Sequence, residues 1–189
     1  MSEKDLPQLK LPLIHQRTVV AKSRMFEIET IDLEFSNGAR RQYERMRGSG
    51  RGAVMVVPVT DAREFLLIRE YAAGTEQYEL GFPKGLIDPG EQATEAANRE
   101  LQEEVGFAAD ELISLKQITL APGYFAAKMD ILLAQDLSPS ILEGDEPEPL
   151  VIVKWPIDDW CSLLDWPEFK EARSVTALML AARHLGLWS

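Results

Sequence analysis

Apolar and polar residues alternate over the first part of the chain in the manner of β-strands. Between residues 26 and 35, apolar side chains such as Phe26, Ile28 and Leu33 are separated by charged ones, which predicts strand structure. Asn37-Gly38 follows and is typical of a tight hairpin turn. The pattern predicts an antiparallel hairpin within residues 1–50. Residues 1–16 are polar and contain proline, and we expect them to be mobile.

Beyond residue 50 the pattern changes to continuous apolar runs and helical repeats. Residues 53–59 (AVMVVPV) and 64–71 (EFLLIREY) are apolar runs bounded by turn residues, which indicates buried strands. A central helix is predicted from Glu91 to Val105, with Gly106 as its C-terminal cap. Residues 77–90 are predicted to form a short strand and then a loop rich in Gly and Pro. More strands are predicted at 112–121, 127–137 and 151–155, with two closing helices that have Pro156 and Pro167 near their starts. This order predicts a mixed α/β sandwich, in which both helices and strands form layers.

The central helix carries an unusual cluster of charges in the stretch AANRELQEEVGF, residues 96–107. At about 100° per residue, the two glutamates at 100 and 104 fall at the edge of the buried stripe, whereas Arg99 falls towards solvent. No basic residue lies between these two glutamates on their face. Half-buried paired carboxylates suit a hard divalent cation such as Mg²⁺, with Mn²⁺ possible. The alternative is a solvated acidic face, which is common for short patterns of this kind.

Composition narrows the range of partners. The chain has 189 residues, a formal net charge of −11 and one cysteine, Cys161. An acidic surface repels nucleic acid and anionic lipid, so we expect no nucleic-acid or membrane partner. A single cysteine and a first segment without an apolar signal core favour a cytoplasmic protein. An anionic substrate would then need local arginines or a metal ion.

The stretch GLIDPGEQATEAANRELQEEVGF, residues 85–107, resembles the Nudix box. That motif has Gly, five residues, Glu, seven residues, and then Arg-Glu-apolar-x-Glu-Glu-x-Gly-apolar, and every fixed position is present here. The resemblance implies a Nudix hydrolase with an α/β/α sandwich and a mixed sheet over residues 51–189. An N-terminal antiparallel β-hairpin region over residues 1–50, which we expect to dimerise, would precede it.

The resemblance also implies roles for the residues of the box. Glu100 and Glu104 would be the principal metal ligands, and Glu103 would be a further ligand or a catalytic acid. Glu91 would support the metal cluster or the start of the helix, and the backbone carbonyl of Lys84 would be a ligand. The structural positions would be Gly85, Arg99 and Gly106, and Arg99 would pair with box carboxylates. An ordinary ion pair between Arg99 and Glu103 is expected as well, because the two are four residues apart.

The flanking segments resemble the Nudix hydrolases of ADP compounds, which are related to ADP-ribose pyrophosphatases. This implies Mg²⁺-dependent hydrolysis of ADP-ribose, NADH or short diadenosine polyphosphates to release AMP. It also implies a homodimer, with N-terminal strands that cross to the partner's site. Tyr124, in LAPGYF, would contact substrate. Ala72 stands where many ADP-ribose enzymes have a second arginine, so Arg41, Arg45 and Arg69 become the candidates to hold the diphosphate.

The acidic loop EGDEPEP, residues 143–149, is the expected source of a general base. We assign Glu146 as the base and Glu148 as a residue associated with the metal; the alternative is a solvated connection. Two other functions are also compatible with the sequence. One is a Nudix-fold sensor that binds ADP-ribose without cleaving it. The other is a Nudix hydrolase of a different nucleotide, such as capped RNA or a nucleoside triphosphate.

Overall fold

The computed structural model describes residues 7–48 and 50–188. The chain divides into two compact units. The first comprises residues 7–48 and 121–126, and the second comprises residues 50–120 and 127–188. The expectation of mobility for residues 1–6 lies outside the described residues.

The first unit is an antiparallel meander of three strands. They are β1 (Leu13–Lys22), β2 (Glu27–Glu34) and β3 (Arg40–Met46). The predicted hairpin turn between β2 and β3 is confirmed, with Gly38 at a φ of +82°, where glycine carries no steric penalty. Glu29 is buried in this unit and pairs with Arg45 at 2.7 Å.

Strand β1 corrects the expectation that residues 1–16 are mobile, because it begins at Leu13. All ten of its residues are exposed, so burial does not order it. Its order comes from backbone pairing with β2 along most of its length, from Leu13 opposite Glu34 to Lys22 opposite Glu27. Ion pairs of His15 with Glu34 and of Lys22 with Glu27 accompany this pairing. A strand ordered in this way shows no buried face in its sequence, and that is why the hydrophobic pattern missed it.

The second unit contains the remaining strands in two groups, apart from residues 121 and 125–126 at two strand ends, which belong to the first unit. The strands are β4 (Ala53–Pro58), β5 (Glu64–Ala72), β6 (Gln77–Gly81), β7 (Lys84–Leu86), β8 (Phe107–Ala121), β9 (Phe125–Pro139) and β10 (Val151–Pro156). Strand β4 lies between β9, which runs parallel to it, and β7, which runs antiparallel. Strand β5 lies between β10 and β6, and both are antiparallel to it. The three-residue strand β7 was not predicted, since it falls in a stretch rich in Gly and Pro.

The helices cover the two faces of this unit, which confirms the predicted α/β/α arrangement. They are α1 (Ala93–Glu104), α2 (Trp160–Leu164) and α3 (Ala172–His184). Met55 and Val57 of β4 pack in the core cluster that contains α3 residues. Val54 and Val56 pack in the cluster that contains α1 residues. Because β4 is buried on both faces, its sequence is a continuous apolar run. Within the described chain, no helix is long and apolar enough to cross a membrane.

Helix α1 is defined at both ends by local chemistry. At its start the backbone N–H of Gln92 donates a hydrogen bond of 2.8 Å to the side chain of Glu95, which is the N3-to-N-cap contact of a capping box. At its end Gly106 has a φ of +77°, the left-handed conformation that ends many helices. The predicted cap at Gly106 is therefore confirmed, while the helix starts two residues later than the predicted Glu91. Glu91 is left in the loop that leads into it.

Candidate active site

Two carboxylates of α1 lie at the edge of the core, as the helical spacing predicts. Glu100 and Glu104 are 8% and 7% exposed. Glu100 reaches the backbone of β7 at Gly85, where an added Cβ would meet its carboxylate carbon at 2.0 Å. Only glycine leaves room for this approach. Helix α1 and strand β7 are therefore in close contact where the Glu100 carboxylate meets Gly85.

Arg99 joins most of the charged groups of the box. Its guanidinium donates hydrogen bonds to Glu91, to Glu100 at 2.7 Å, to Glu103 at 2.9 Å and to the carbonyl oxygen of Leu86. The ion pair with Glu103 that the spacing predicts is thus present. The hydrogen bond to Glu91, with support from Glu100, raises the pKa of Arg99 above its usual value, although burial acts in the opposite direction.

Two indications from the helical wheel were wrong. Arg99 was expected near solvent, but its side chain is only 25% exposed and lies among the acids. The helical wheel gave Glu100 no basic residue on its own face, but Glu100 pairs with Arg99, as the resemblance to the Nudix box implies. The helical wheel gives the direction of the Cα–Cβ bond, and a long arginine side chain can turn back from that direction to reach its partners.

Burial dominates the electrostatics of the two glutamates. It raises the pKa of Glu104 to about 8, against the charge of Lys84 and a hydrogen bond from its backbone N–H. That N–H donates to Glu104 Oε2 at 2.9 Å. Burial also raises the pKa of Glu100, where Arg99 acts against it and the charges of Glu103 and Glu146 add to it. Both carboxylates would be stabilised as anions by a nearby cation.

These groups line a cleft of about 710 Å³ in the second unit. The acidic loop closes one side of it with Glu143, Gly144, Asp145 and Glu146. Glu146 is the half-buried residue among them. Its carboxylate lies against Gly144, where an added Cβ would come within 2.2 Å of Glu146 Oε2. The predicted base and the two box carboxylates therefore share one cleft.

Other predicted site residues have partners elsewhere. Glu148 accepts a hydrogen bond from the hydroxyl of Tyr78 at 2.6 Å and does not line the described cleft. Arg69 makes two hydrogen bonds of 2.8 Å to Glu168 and lies over the Tyr78 ring. The remaining substrate candidates, Arg41, Arg45 and Tyr124, belong to the first unit.

Several cleft residues escaped the sequence analysis. Glu70, Arg51, Asp88 and the side chain of Lys84 all line the cleft. Lys84 Nζ pairs with Glu70 Oε2, and Arg51 pairs with Asp88 at 3.4 Å. The resemblance to the Nudix box implied a role only for the backbone carbonyl of Lys84. The signal that could have found its side chain is a single lysine directly before the box glycine in a chain with a large acidic excess.

Comparison with known proteins agrees with this fold and cleft. Residues 50–182 match the NUDIX domain, and residues 12–45 match the NudE-type Nudix hydrolase N-terminal domain. The chain therefore belongs to the Nudix hydrolase family of enzymes.

Named relatives are similar over most of their length. The ADP compounds hydrolase NudE of Escherichia coli K12 is 59% identical over 177 residues, which cover 94% of this chain and 95% of that protein. The ADP-ribose pyrophosphatase of Bacillus subtilis is 27% identical, covering 86% and 91%. A crystal structure of an ADP compounds hydrolase matches with a TM-score of 0.91 at 57% identity, covering 96% and 97%.

The contact between Gly85 and Glu100 generates a prediction. Gly85→Ala forces the Glu100 carboxylate from its position, and displacement of about 1 Å in a catalytic group can reduce the rate about a hundredfold. We expect hydrolase activity to fall by that order, with a cooperative thermal transition retained. Gly74→Ala is the matched control, because a Cβ at Gly74 meets nothing within 4 Å. Equal activity of the two variants would contradict the proposed importance of this contact.

Proposed function

We propose that this enzyme hydrolyses the pyrophosphate bond of ADP-linked compounds with Mg²⁺ and releases AMP. The substrate class comprises ADP-ribose, NADH and short diadenosine polyphosphates. The observation that carries the proposal is the cleft in which Glu100, Glu104 and Glu146 converge. The names of the relatives, an ADP compounds hydrolase and an ADP-ribose pyrophosphatase, support ADP as the shared part of the substrate.

The donor set of the cleft fits a divalent cation of the magnesium type. Glu100 Oε2, Glu103 Oε1 and Glu104 Oε1 accept no hydrogen bond from the described residues, whereas the other oxygen of each carboxylate is fixed by Arg99 or Lys84. Carboxylate oxygens are the ligands that Mg²⁺ prefers. No group of three His, Cys, Asp or Glu side chains in the described chain is already arranged to hold a metal, so binding would require small side-chain adjustments.

The proposed roles follow from these partners. Glu100 and Glu104 would hold the metal, with Glu103 and the Lys84 carbonyl as further ligands, and Mn²⁺ could take the place of Mg²⁺. Bound there, the metal would offset the negative charge of the diphosphate and promote attack by water. Arg99 and Gly85 position the ligand carboxylates. Glu148, which contacts Tyr78, is proposed to assist metal binding only if the loop rearranges.

Glu146 is the best candidate for the general base. It is half-buried in the cleft, and no side chain of the described residues donates a hydrogen bond to its carboxylate. Glu91, an alternative, accepts bonds from Arg99 and from the Asp88 backbone. The hydrogen bond from Arg99 lowers the pKa of Glu91 below its usual value, which makes it a weaker base. Glu103, the other alternative, keeps one oxygen bonded to Arg99.

Product analysis tests the proposed reaction. With Mg²⁺ we expect the wild-type protein to release AMP from ADP-ribose. Glu104→Gln should lower the rate at least about a hundredfold, since roughly 3 kcal/mol of charge stabilisation depends on a metal ligand. Circular dichroism should show that the fold is retained. Activity near that of the wild type at saturating Mg²⁺ would exclude Glu104 as a ligand, and absence of AMP from every ADP compound would exclude the substrate class.

The loop carboxylate gives a separate kinetic prediction. Glu146→Gln should reduce kcat about a hundredfold or more while KM changes little, because a general base acts in the transition state. Glu143→Gln is the matched control, since Glu143 is an exposed acid of the same loop that lines the same cleft. If both variants keep the wild-type kcat, the loop is a solvated connection and Glu103 becomes the leading candidate.

We further propose that the protein is a two-fold dimer formed through the first unit. Strand β1 exposes Leu13, Ile14, Val19 and Val20, and an apolar strand of this kind favours association with a second copy. We expect a dimer mass by light scattering at micromolar concentration. Val20→Asp should shift the mass towards the monomer, while Gln8→Asp, at an exposed position outside β1, serves as a control for added charge. A fully active wild-type monomer would refute the proposal.

A further inference from the structure

We propose that the side chain of Lys84 binds the diphosphate of the substrate, and that Glu70 holds this side chain when no substrate is present. The inference rests on the proposed function, because it assigns a residue to the recognition of an ADP-linked diphosphate. Three arginines are the candidates for this task that the sequence offers. The geometry points instead to a lysine that lies within the cleft.

The cleft is strongly acidic for a site that receives an anion. Its described lining contains eight carboxylates but only three cations, which are Arg51, Lys84 and Arg99. A divalent metal would neutralise part of this charge, but the diphosphate would still approach several unpaired acids. One cation that can contact phosphate directly would therefore have a large effect on binding.

The arginines are less suited to this task than Lys84. The guanidinium of Arg99 is engaged by three carboxylates and a carbonyl oxygen, and removing it would leave those acids uncompensated. Arg69 donates hydrogen bonds from Nε and Nη2 to the carboxylate of Glu168. Arg69 is not among the described residues that line the cleft. Arg51 is 45% exposed and pairs with Asp88, which is 60% exposed, at 3.4 Å.

The backbone of Lys84 is fixed next to the proposed metal ligands. It pairs with Met55 of the buried strand β4, its N–H donates to Glu104, and the next residue, Gly85, is in contact with Glu100. The ammonium group extends from this fixed point on a flexible stem. Lys84 lines the same cleft as Glu100 and Glu104.

The present partner of Lys84 is suited to exchange. The side chains of Lys84 and Glu70 are 26% and 40% exposed, and ion pairs with this degree of solvent contact contribute little net stability. A phosphate oxygen carries a comparable charge and can take the place of Glu70 at small cost. In the absence of substrate, Glu70 keeps the ammonium from pairing with Glu104, where it would compete with a metal ion.

Opposite effects of two substitutions test the assignment. Lys84→Met should raise the KM for ADP-ribose about ten- to a hundredfold, as expected for loss of a charged hydrogen bond. Glu70→Gln should lower that KM by up to about fivefold, because phosphate no longer competes with a carboxylate. Calorimetric titration with α,β-methylene ADP-ribose and Mg²⁺ should show the same two directions in Kd. Lys84→Arg, which keeps the charge, should restore part of the affinity.

Lys154→Met is the matched control, because Lys154 is an exposed lysine of the same unit that pairs with Glu64 at 3.7 Å. A purely structural ion pair would make the Lys84 and Glu70 variants equally defective, and that result would overturn the proposal. A Lys84→Met KM within twofold of the wild-type value would also overturn it. Failure of the wild-type protein both to cleave ADP-ribose and to bind the analogue would instead refute the proposed substrate class.

Discussion

The bidentate and bridging hydrogen bonds of Arg99 are the interaction on which the site depends. Helix α1 places Glu100 against the core, where an unpaired carboxylate would be strongly destabilising. Arg99 contributes one positive charge and a fork of donors that reaches Glu91, Glu100 and Glu103. It also ties the Leu86 carbonyl, in β7, to the helix. One side chain thus allows acids to lie beside apolar residues and fixes the loop that leads into the helix.

The hydrophobic core gives this arrangement its rigidity. Strand β4 is buried on both faces and pairs with β7, where Val54 is opposite Gly85 and Met55 is opposite Lys84. On the other side of β7, Gly85 is in contact with Glu100. The charged groups are therefore held between a packed strand and a packed helix, since close-packed cores resist displacement. The acidic loop has no such support, as most of its residues are exposed.

Local periodicity predicted those parts of the fold and site in which a helix or strand buries one face. It located the buried strands, the extent of α1 to within two residues, and the burial of Glu100 and Glu104. It failed where order depends on contacts distant in sequence. Strand β1 is ordered by pairing with β2 and buries no residue. The pairing of Lys84 with Glu70 spans fourteen residues and depends on how β5 and β7 are brought together, which no repeat pattern records.

The charge balance of the cleft explains why lysine and arginine have different tasks there. Arginine presents a planar fork that several carboxylates can share, so Arg99 stays bound to the acids it compensates. A lysine is a single point charge on a flexible stem, so its partner can change without dismantling a network. An anionic substrate in an acidic cleft requires both kinds of cation. An arginine in the place of Lys84 would keep the positive charge but would bind Glu70 through a wider fork of donors, so phosphate would displace it less readily than it displaces a lysine.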